Sequence, residues 1–368
     1  MHIGIVGGGI FGLSAAWGLA RAGRRVSLFE QGPLPNPLAA SFDRHRLTRH
    51  AYGEAAGYAR AMAEADAGWE ALWADLGERH GVACGTLALS YRADDWAVRS
   101  LACLGRLGRQ ASWLSPAAIG ERFPFLRTDG LAGGLFAPSG GVLLADRILQ
   151  ALVAWLAPRA RLHAACRVVA IDGERGRLTL ADNEVREFNA LLLAAGPWAG
   201  KLLPGLAGEG IRPVRQVVAY VAPPARFAQA WRQAPALLDI GGPADGYGVP
   251  AVAGTPPKLG ATPPRRPGDP DDERTPAPGE GEAVLALYRD WLADWADYRL
   301  LEARVCYYMR AEDEQFRLRP LGARGWLMTA DSGHGFKFGP ALGLRLARAM
   351  LGEAPAETTR RWAAGELV

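Results

Sequence analysis

The chain has 368 residues, of which 49% are hydrophobic and 22% charged, and its formal net charge at pH 7 is +4. These values are typical of a globular protein with one large domain or two ordinary ones, and they exclude a disordered chain. The basic residues are scattered among acidic ones rather than clustered, so we expect no nucleic-acid partner.

Cysteine spacing and hydropathy argue against several further classes of protein. Cys84, Cys103, Cys166 and Cys306 form no CxxC motif and have no histidine at metal-binding spacing, which argues against a zinc site and a disulfide framework. No segment approaches the roughly 20 apolar residues that span a bilayer. The start of the chain, MHIGIVGGG, lacks the basic region of a signal peptide. We therefore expect a cytoplasmic protein without a bound metal or a membrane partner.

The beginning of the chain predicts a complete β-α-β unit. His2–Val6 is a short apolar run typical of a buried parallel strand, and Leu13–Ala20 has the composition of a helix. Between them lies the glycine-rich segment GGGIFG at Gly7–Gly12. Arg25–Phe29 is a second strand, which is followed by the acidic residue Glu30. A GxGxxG motif in this strand–turn–helix context indicates a dinucleotide-binding site.

Each residue of this motif has a physical role in holding a dinucleotide. Gly7 permits the tight turn, Gly9 lets backbone N–H groups approach a pyrophosphate, and Gly12 lets the helix lie close to the strand. The helix N-terminus offers free N–H donors to the phosphates. Glu30 is placed to accept a hydrogen bond from a ribose 2′-hydroxyl, and it disfavours a 2′-phosphate. The alternative is an ordinary tight turn followed by a surface glutamate.

Hydrophobic periodicity and turn signals predict the elements in the middle of the chain. In chain order they are a helix over Ala55–His80 with an apolar stripe, a strand over Thr86–Tyr91, a helix over Trp96–Leu107, a capped helix start at Ser115–Ala118, a helix over Ala145–Leu156, a hairpin of Arg167–Ile171 and Arg177–Leu180, and strands over Ala190–Ala195 and Arg212–Val221.

The composition changes after residue 253. Gly254–Pro278 contains eight prolines together with charged and small residues, which predicts a long loop without regular structure that acts as a mobile lid. Amphipathic spacing then predicts a helix over Ala283–Trp295.

The last third of the chain contains a second strand–glycine–helix junction. Gly325–Ala330 is a predicted strand, Ser332–Lys337 a glycine-rich turn and Gly339–Leu351 a helix. Because two such junctions can present both helix dipoles to one ligand, we expect the N- and C-terminal segments to meet. The predicted fold class is α/β, with a discontinuous Rossmann-type cofactor domain and an inserted α+β substrate domain that contains a mixed sheet. The predicted boundaries are 1–82, 141–212 and 305–368 for the cofactor domain and 83–140 and 213–304 for the substrate domain.

Taken together, these segments resemble the D-amino-acid-oxidase-like FAD-dependent oxidoreductases, and within them the branch of monomeric sarcosine oxidase and N-methyltryptophan oxidase. The resemblance implies that the dinucleotide is FAD. It runs over nearly the whole chain and rests on GGGIFG with Glu30, RLTRHAYGE at Arg46–Glu54, APSGGVL at Ala137–Leu143, RPVRQVV at Arg212–Val218, YGVP and PKLG within 247–260, CYYMRAEDEQF at Cys306–Phe316, and SGHGFKF at Ser332–Phe338.

Cys306 has two interpretations. Taken alone, a single cysteine beside aromatic residues on a strand is typical of a buried core residue. The resemblance implies instead that its sulfur is bonded as a thioether to the 8α-methyl carbon of FAD. Because the attack needs a thiolate, Arg304 and Arg310 are candidates for lowering the thiol pKa if they point inward.

Two cations are candidates for binding a substrate carboxylate. Arg49 offers a planar two-point grip and Lys337 a compact charge, and the resemblance implies that both face the flavin. The same resemblance places Arg46 over the flavin ring, where it tunes the ring's charge. On residue type alone, Arg49 is equally typical of a surface salt bridge, and Lys337 of an ordinary turn lysine.

Lys258, in the PKLG segment, is the candidate for activating oxygen. The resemblance places it near flavin N5, where a fixed cation stabilises the negative charge that develops on O2. An exposed loop lysine is the alternative. Tyr247 and Tyr308 match residues that line the substrate pocket, although tyrosines on strands are also common in the core. Further expected cofactor contacts are Ser41, Val168, Gly196, Gly333, Gly335 and Lys337.

Three departures from the branch concern the site. Thr262 stands where the branch has a histidine, four residues after the PKLG lysine, so sarcosine itself is in doubt as the substrate. The segment before Arg46 reads SFDRH and lacks the usual glycine. Arg317 and Arg319 follow Phe316 where the branch has apolar residues and an acid, a change that could reshape the flavin edge.

The sequence therefore predicts an FAD-dependent amine oxidase. Its expected substrate is a small carboxylate-bearing secondary amine, such as sarcosine or another N-methyl or cyclic amino acid, which is oxidised to an imine while O2 becomes H2O2. Two alternatives stay open: a dehydrogenase of the same fold that passes electrons to a quinone or an electron-transfer protein, and a non-catalytic flavin-binding or redox-sensing protein. Retention of Arg49, Lys258 and Lys337 argues against the latter. We expect a monomer or a weak dimer.

Overall fold

The computed structural model describes residues 1–366, and within this range the strands form four sheets. The strands are, in chain order, β1 (His2–Val6), β2 (Arg25–Phe29), β3 (Arg46–Thr48), β4 (Gly81–Val82), β5 (Thr86–Ser90), β6 (Ser112–Leu114), β7 (Gly133–Ala137), β8 (Gly141–Leu143), β9 (Arg161–His163), β10 (Val168–Asp172), β11 (Arg177–Leu180), β12 (Val185–Glu187), β13 (Ala190–Leu193), β14 (Ile211–Ala222), β15 (Ala236–Asp239), β16 (Gly246–Val249), β17 (Lys258–Ala261), β18 (Arg266–Pro267), β19 (Arg299–Ala311), β20 (Arg317–Leu321) and β21 (Gly325–Thr329).

The helices pack mainly on the two larger sheets. They are α1 (Ile10–Arg21), α2 (Ala56–Leu76), α3 (Trp96–Arg106), α4 (Pro116–Arg122), α5 (Ala145–Leu156), α6 (Ala199–Leu202), α7 (Ala228–Gln233), α8 (Glu280–Ala286), α9 (Gly339–Met350) and α10 (Ala356–Ala363). None of the helices within residues 1–366 combines the length and apolar character that crossing a bilayer requires.

The first large sheet unites both ends of the chain. Its strand order is β20-β21-β13-β1-β2-β9, and all neighbouring pairs are parallel except β20 with β21. The strands β1, β2 and β13 are short and mostly apolar because apolar cores cover both faces of the sheet there. On one face α1 packs against α9, so the two predicted strand–glycine–helix junctions do meet. The boundaries between the cofactor domain and the substrate domain remain predictions.

The second large sheet is mixed and contains nine strands of the described range. Its path is β18-β14-β17-β16-β15-β5-β7-β6, and β19 pairs with β14 along nearly the whole length of both strands. A separate core covers it and includes the aromatic side chains of Trp231, Tyr288 and Trp291. The α/β class and the presence of a mixed sheet beside the parallel one are confirmed.

Two sequence predictions fail in this part of the chain. Gly254–Pro278 is not entirely irregular, since it contains β17 and β18, which both pair with β14. The helix predicted over Ala283–Trp295 is α8, which begins at Glu280 and ends at Ala286. Beyond it the backbone forms short i→i−3 turns that bury Trp291 in the core, and burial there outweighs helical spacing.

Candidate functional site

A cavity of about 1070 Å³ lies between the first turn of α1 and the strands β14, β17 and β19. Small-molecule pockets usually measure about 300–1,000 Å³, so this cavity suits a large ligand. Its lining includes every site residue predicted from the sequence except Gly12. Their functional roles stay predictions, but the chain brings these distant residues to one place. No cluster of three or more potential metal-binding side chains occurs within residues 1–366.

The glycines of the β1–α1 turn allow the backbone to fold tightly against itself. Gly7 has φ +110°, which favours glycine, and a Cβ on Gly12 would lie 1.9 Å from the carbonyl oxygen of Gly7. Gly12 therefore acts from behind the cavity wall. Ser41 fixes the start of α1, because its Oγ accepts a hydrogen bond of 2.9 Å from the backbone N–H of Ile10.

Glu30 is held rigidly at the end of β2. It is only 6% exposed, and its Oε2 accepts a 2.7 Å hydrogen bond from the N–H of Gly8. Its Oε1 accepts from the N–H of Gly32 at 3.0 Å and from Nδ2 of Asn36 at 2.8 Å. The alternative of a surface glutamate is wrong, and the carboxylate lines the cavity as the dinucleotide interpretation requires.

The second glycine turn lies opposite the first. Gly333, Gly335 and Lys337 line the cavity between β21 and α9. A Cβ on Gly335 would lie 2.7 Å from the ring of Phe11 in α1, so the two junctions touch. Both glycine turns therefore place backbone groups close to a helix N-terminus at the same cavity, and such an arrangement suits an anionic ligand.

Cys306 lies on β19 opposite Gln216 of β14, and it lines the cavity. Burial raises the pKa of its thiol, while the nearby charge of Arg46 opposes that shift. Arg304 and Arg310, which we expected to lower this pKa, instead pair with carboxylates. Arg304 lies 2.5 Å from a carboxylate oxygen of Glu302, and Arg310 lies 3.0 Å from a carboxylate oxygen of Glu314.

Asp43 is a site residue that the sequence analysis missed. It is 5% exposed, and Lys258, Arg46 and Tyr220 all donate hydrogen bonds to its carboxylate. Burial alone would raise the pKa of Asp43, but Lys258 and Arg46 hold it well below its usual range. The one available signal was the unusual SFDRH segment, which places an acid three residues before Arg46.

Lys258 is fully buried on β17, so the alternative of an exposed loop lysine is wrong. Its Nζ lies 3.0 Å from Oδ2 of Asp43 and donates a 2.7 Å hydrogen bond to the carbonyl oxygen of His45. Burial lowers the pKa of Lys258 to about 8, although the charge of Asp43 opposes the shift. The ammonium also lies 5.9 Å from the ring centroid of Tyr247.

Arg49 and Lys337 are brought together around Tyr52. The guanidinium carbon of Arg49 lies 4.5 Å from the Tyr52 ring centroid, and Lys337 Nζ donates a 3.1 Å hydrogen bond to the Tyr52 hydroxyl. Neither cation forms a salt bridge within residues 1–366, so the surface-salt-bridge alternative for Arg49 is wrong. Burial lowers the pKa of both side chains, and for Lys337 the charge of Arg49 adds to the effect. Two unpaired cations at one cavity wall suit an anionic ligand group.

Tyr247 on β16 and Tyr308 on β19 line the cavity beside Thr262. Burial raises the pKa of Tyr308 to about 12 and also raises that of Tyr247, so both phenols stay neutral at physiological pH. Arg317 pairs at 2.7 Å with Asp313, which lines the cavity, and Arg319 pairs at 2.7 Å with Glu209, which does not.

Val168 and Gly196 line the same cavity, beside the turn that follows β13. Gly196 begins a short 3₁₀ turn there and has φ +52°. The structure thus assembles the expected contacts along one continuous surface. Trp96 of α3 also faces this cavity, although nothing in its sequence context singled it out.

Comparison with known proteins agrees with this geometry. The profile of the DAO family, described as FAD dependent oxidoreductase, matches residues 2–349. An N-methyl-L-tryptophan oxidase of Yersinia pestis (strain Pestoides F) is 25% identical over 346 residues, which cover 92% of each chain. Among solved structures, L-proline dehydrogenase from P. horikoshii has a TM-score of 0.83 at 19% identity, covering 100% of this chain and 99% of that one. Glycine oxidase from Geobacillus kaustophilus has a TM-score of 0.77 at 22% identity, with 96% and 95% covered.

Proposed function

Since the chain belongs to the DAO family of FAD-dependent oxidoreductases, we propose that it oxidises a small carboxylate-bearing secondary amine to an imine, with O2 reduced to H2O2. The observation that carries this proposal is the pair of cations Arg49, which is half-buried, and Lys337, which is buried; neither has a carboxylate partner within residues 1–366, and both line the cavity that also contains Lys258. An amino-acid-like substrate, such as an N-methyl or cyclic amino acid, supplies the carboxylate that these cations lack. The similarity to N-methyl-L-tryptophan oxidase supports the same substrate class.

The residues present fit FAD. The Gly7–Gly12 turn leaves space for a pyrophosphate, and Glu30 lies where a ribose hydroxyl would reach it. Ser41, Val168, Gly196, Gly333 and Gly335 would complete the contacts along the cavity. In this assignment the Cys306 sulfur would hold FAD as a thioether at its 8α carbon, since Cys306 is the cysteine within residues 1–366 that lines the cavity. When bound, the flavin supplies the two-electron chemistry that no side chain provides.

The side chains orient the substrate and manage charge. Arg49 and Lys337 would hold the carboxylate, and Tyr247 and Tyr308, being neutral, would line the space around the amine. No side-chain base is required if the amine binds unprotonated. Lys258 would stabilise the negative charge that develops on O2, because a buried, fixed cation needs no reorganisation at the moment of reaction.

One observation favours a second candidate function. Asp43 lies against Lys258 and partly offsets its charge, which weakens the field available to O2. The second candidate is therefore a dehydrogenase of the same fold that passes its electrons to a quinone or a protein acceptor.

The test compares the oxidation of two sets of secondary amines, with and without a carboxylate, by the FAD-loaded protein. Sarcosine, N-methylalanine, proline and pipecolate carry the carboxylate, whereas dimethylamine and pyrrolidine lack it. We expect H2O2 under air from one or more of the former and none from the latter, and a strong loss of turnover at low substrate concentration in R49M. R159M is the matched control, because Arg159 lies over Trp155 outside the cavity, at 4.3 Å. Turnover with a dye acceptor but without H2O2 would establish the dehydrogenase, and no turnover of any amine would reject both.

A further inference from the structure

Helix α3 docks directly on the chain segment that carries Arg49. The N–H of Gly53 donates a 2.8 Å hydrogen bond to Oγ of the fully buried Ser100, and Arg99 lies 3.5 Å from Glu54. These contacts join the RHAYGE segment to α3, a helix that packs on the second large sheet. The position of α3 therefore decides the surroundings of Arg49.

Trp96 is the first residue of α3, and its place is fixed from two sides. Asp95 caps the helix, because its Oδ1 accepts hydrogen bonds from the N–H groups of the second and third helical residues. On the other side the indole lies against Gly53, which has φ +58°; a Cβ there would lie 2.7 Å from Cδ1 of Trp96. A side chain at residue 53 would push the indole away, so glycine is required at this contact.

The guanidinium of Arg49 lies between two aromatic rings. Its central carbon is 5.0 Å from the ring centroid of Trp96 and 4.5 Å from that of Tyr52. One hydrogen bond, 2.7 Å from Nη1 to the carbonyl oxygen of Ala51, completes its contacts with the described chain. A cation is attracted to aromatic faces, and here both Arg49 and Trp96 are half-buried.

Aromatic partners have a consequence that a carboxylate partner would not have. A carboxylate partner would neutralise Arg49 and occupy its N–H donors, whereas the rings of Trp96 and Tyr52 attract the cation without neutralising it. The remaining N–H donors at the edge keep their full positive charge and stay free for a planar two-point contact.

We propose that Trp96 is a positioning residue for Arg49: its ring holds the guanidinium in place and leaves N–H donors free to grip the substrate carboxylate. The inference rests on the proposed function insofar as that function supplies a carboxylate ligand. It adds a residue of α3 to the carboxylate site and assigns it a role in substrate affinity rather than in the chemistry.

The experiment compares W96F, which keeps an aromatic face, with W96L, which keeps bulk without one. Acetate is the probe, titrated into the FAD-loaded protein and followed by the visible absorbance of the flavin. We expect W96F to bind acetate within about twofold of the wild type, and W96L about tenfold more weakly, which corresponds to about 1.4 kcal/mol. For the amine substrate, KM should rise by a similar factor in W96L while kcat changes less. W96M is the second variant if leucine does not pack, since methionine adapts to irregular space.

Matched controls separate this role from general packing. W155L removes an aromatic ring from a comparable pair, Trp155 with Arg159, outside the cavity, and should leave acetate binding unchanged. In an R49M background, W96L should cause no further loss of acetate affinity. If wild type binds acetate and W96L binds it equally well, the inference is wrong. If wild type neither binds acetate nor oxidises any amine, the proposed function itself has failed.

Discussion

The ammonium of Lys258 lies 3.0 Å from a carboxylate oxygen of Asp43, and both side chains are buried. Burial disfavours the charged lysine, while the neighbouring anion favours it, so its pKa is lowered only to about 8. The pair therefore places a titrating cation at the cavity in the pH range in which enzymes are commonly assayed.

The reaction of the reduced enzyme with O2 should slow as pH rises through about 8. Lys258 is charged below this pKa and neutral above it, and only the charged form stabilises a developing anion. Because Asp43 raises the pKa of Lys258, D43N should move the decline to lower pH. Asp43 itself stays ionised throughout, since its pKa is held well below the usual range. Stopped-flow reoxidation across the neutral and alkaline range gives both curves, and identical curves would contradict the assigned coupling.

Removing the lysine should separate the two halves of the reaction. K258M should slow reoxidation by O2 by about 10²–10³-fold, the usual cost of losing one preorganised electrostatic contact. Anaerobic reduction by substrate should change little, because the carboxylate site at Arg49 and Lys337 is intact. Rapid-mixing measurements of each half-reaction check this, and normal reoxidation in K258M would remove Lys258 from oxygen chemistry.

Replacing the cavity cysteine should release the flavin. In the wild type we expect yellow colour to stay with acid-precipitated protein, and in C306S we expect it in the supernatant, because serine cannot form the thioether. C103S is the control, since Cys103 is a buried core residue outside the cavity. Soluble colour from the wild type would show that the flavin is not covalently attached.

A methyl group at Gly12 should damage both the fold and cofactor binding. A Cβ there would lie 1.9 Å from a backbone oxygen, so G12A should lower the free energy of unfolding by about 1–3 kcal/mol and reduce the FAD content of the purified protein. G105A is the matched control, because a Cβ on Gly105 in α3 would meet nothing within 4 Å, and this variant should gain about 0.5–1 kcal/mol. Thermal melts and flavin absorbance report both effects.

Local patterns predicted the parts of the fold that local physics decides. The β1–α1–β2 unit, α3, α5 and α9 lie close to their predicted positions, because periodicity, caps and glycines act over short distances. The helix predicted over Ala283–Trp295 was too long at its C-terminal end, because burial of Trp291, a tertiary effect, overrides amphipathic spacing. The pairing of β17 with β14 was not predicted, because a sequence pattern does not show which distant strands pair.

The site also has a part that the sequence predicts and a part that it does not. Glycine motifs and family-specific segments identified the residues that line the cavity, but they carry no information about which side chains become partners. Asp43 contacts Lys258 across 215 positions of sequence, and Trp96 reaches Arg49 through the docking of a separate helix. The partners of Arg304 and Arg310 are local instead: Glu302 and Glu314 lie two and four residues away in the sequence, and they pair with these arginines.

The order of strands in the parallel sheet constrains how the protein is made. β1 pairs with β2 almost at once, but its other neighbour, β13, and then β21 leave the ribosome much later. Until then the apolar side chains of Ile3 and Ile5 lack the strands that bury them in the folded protein. The nascent chain therefore exposes apolar surface that can bind chaperones or other chains. The cavity itself is complete only after the last glycine turn has been synthesised, because both glycine turns line it.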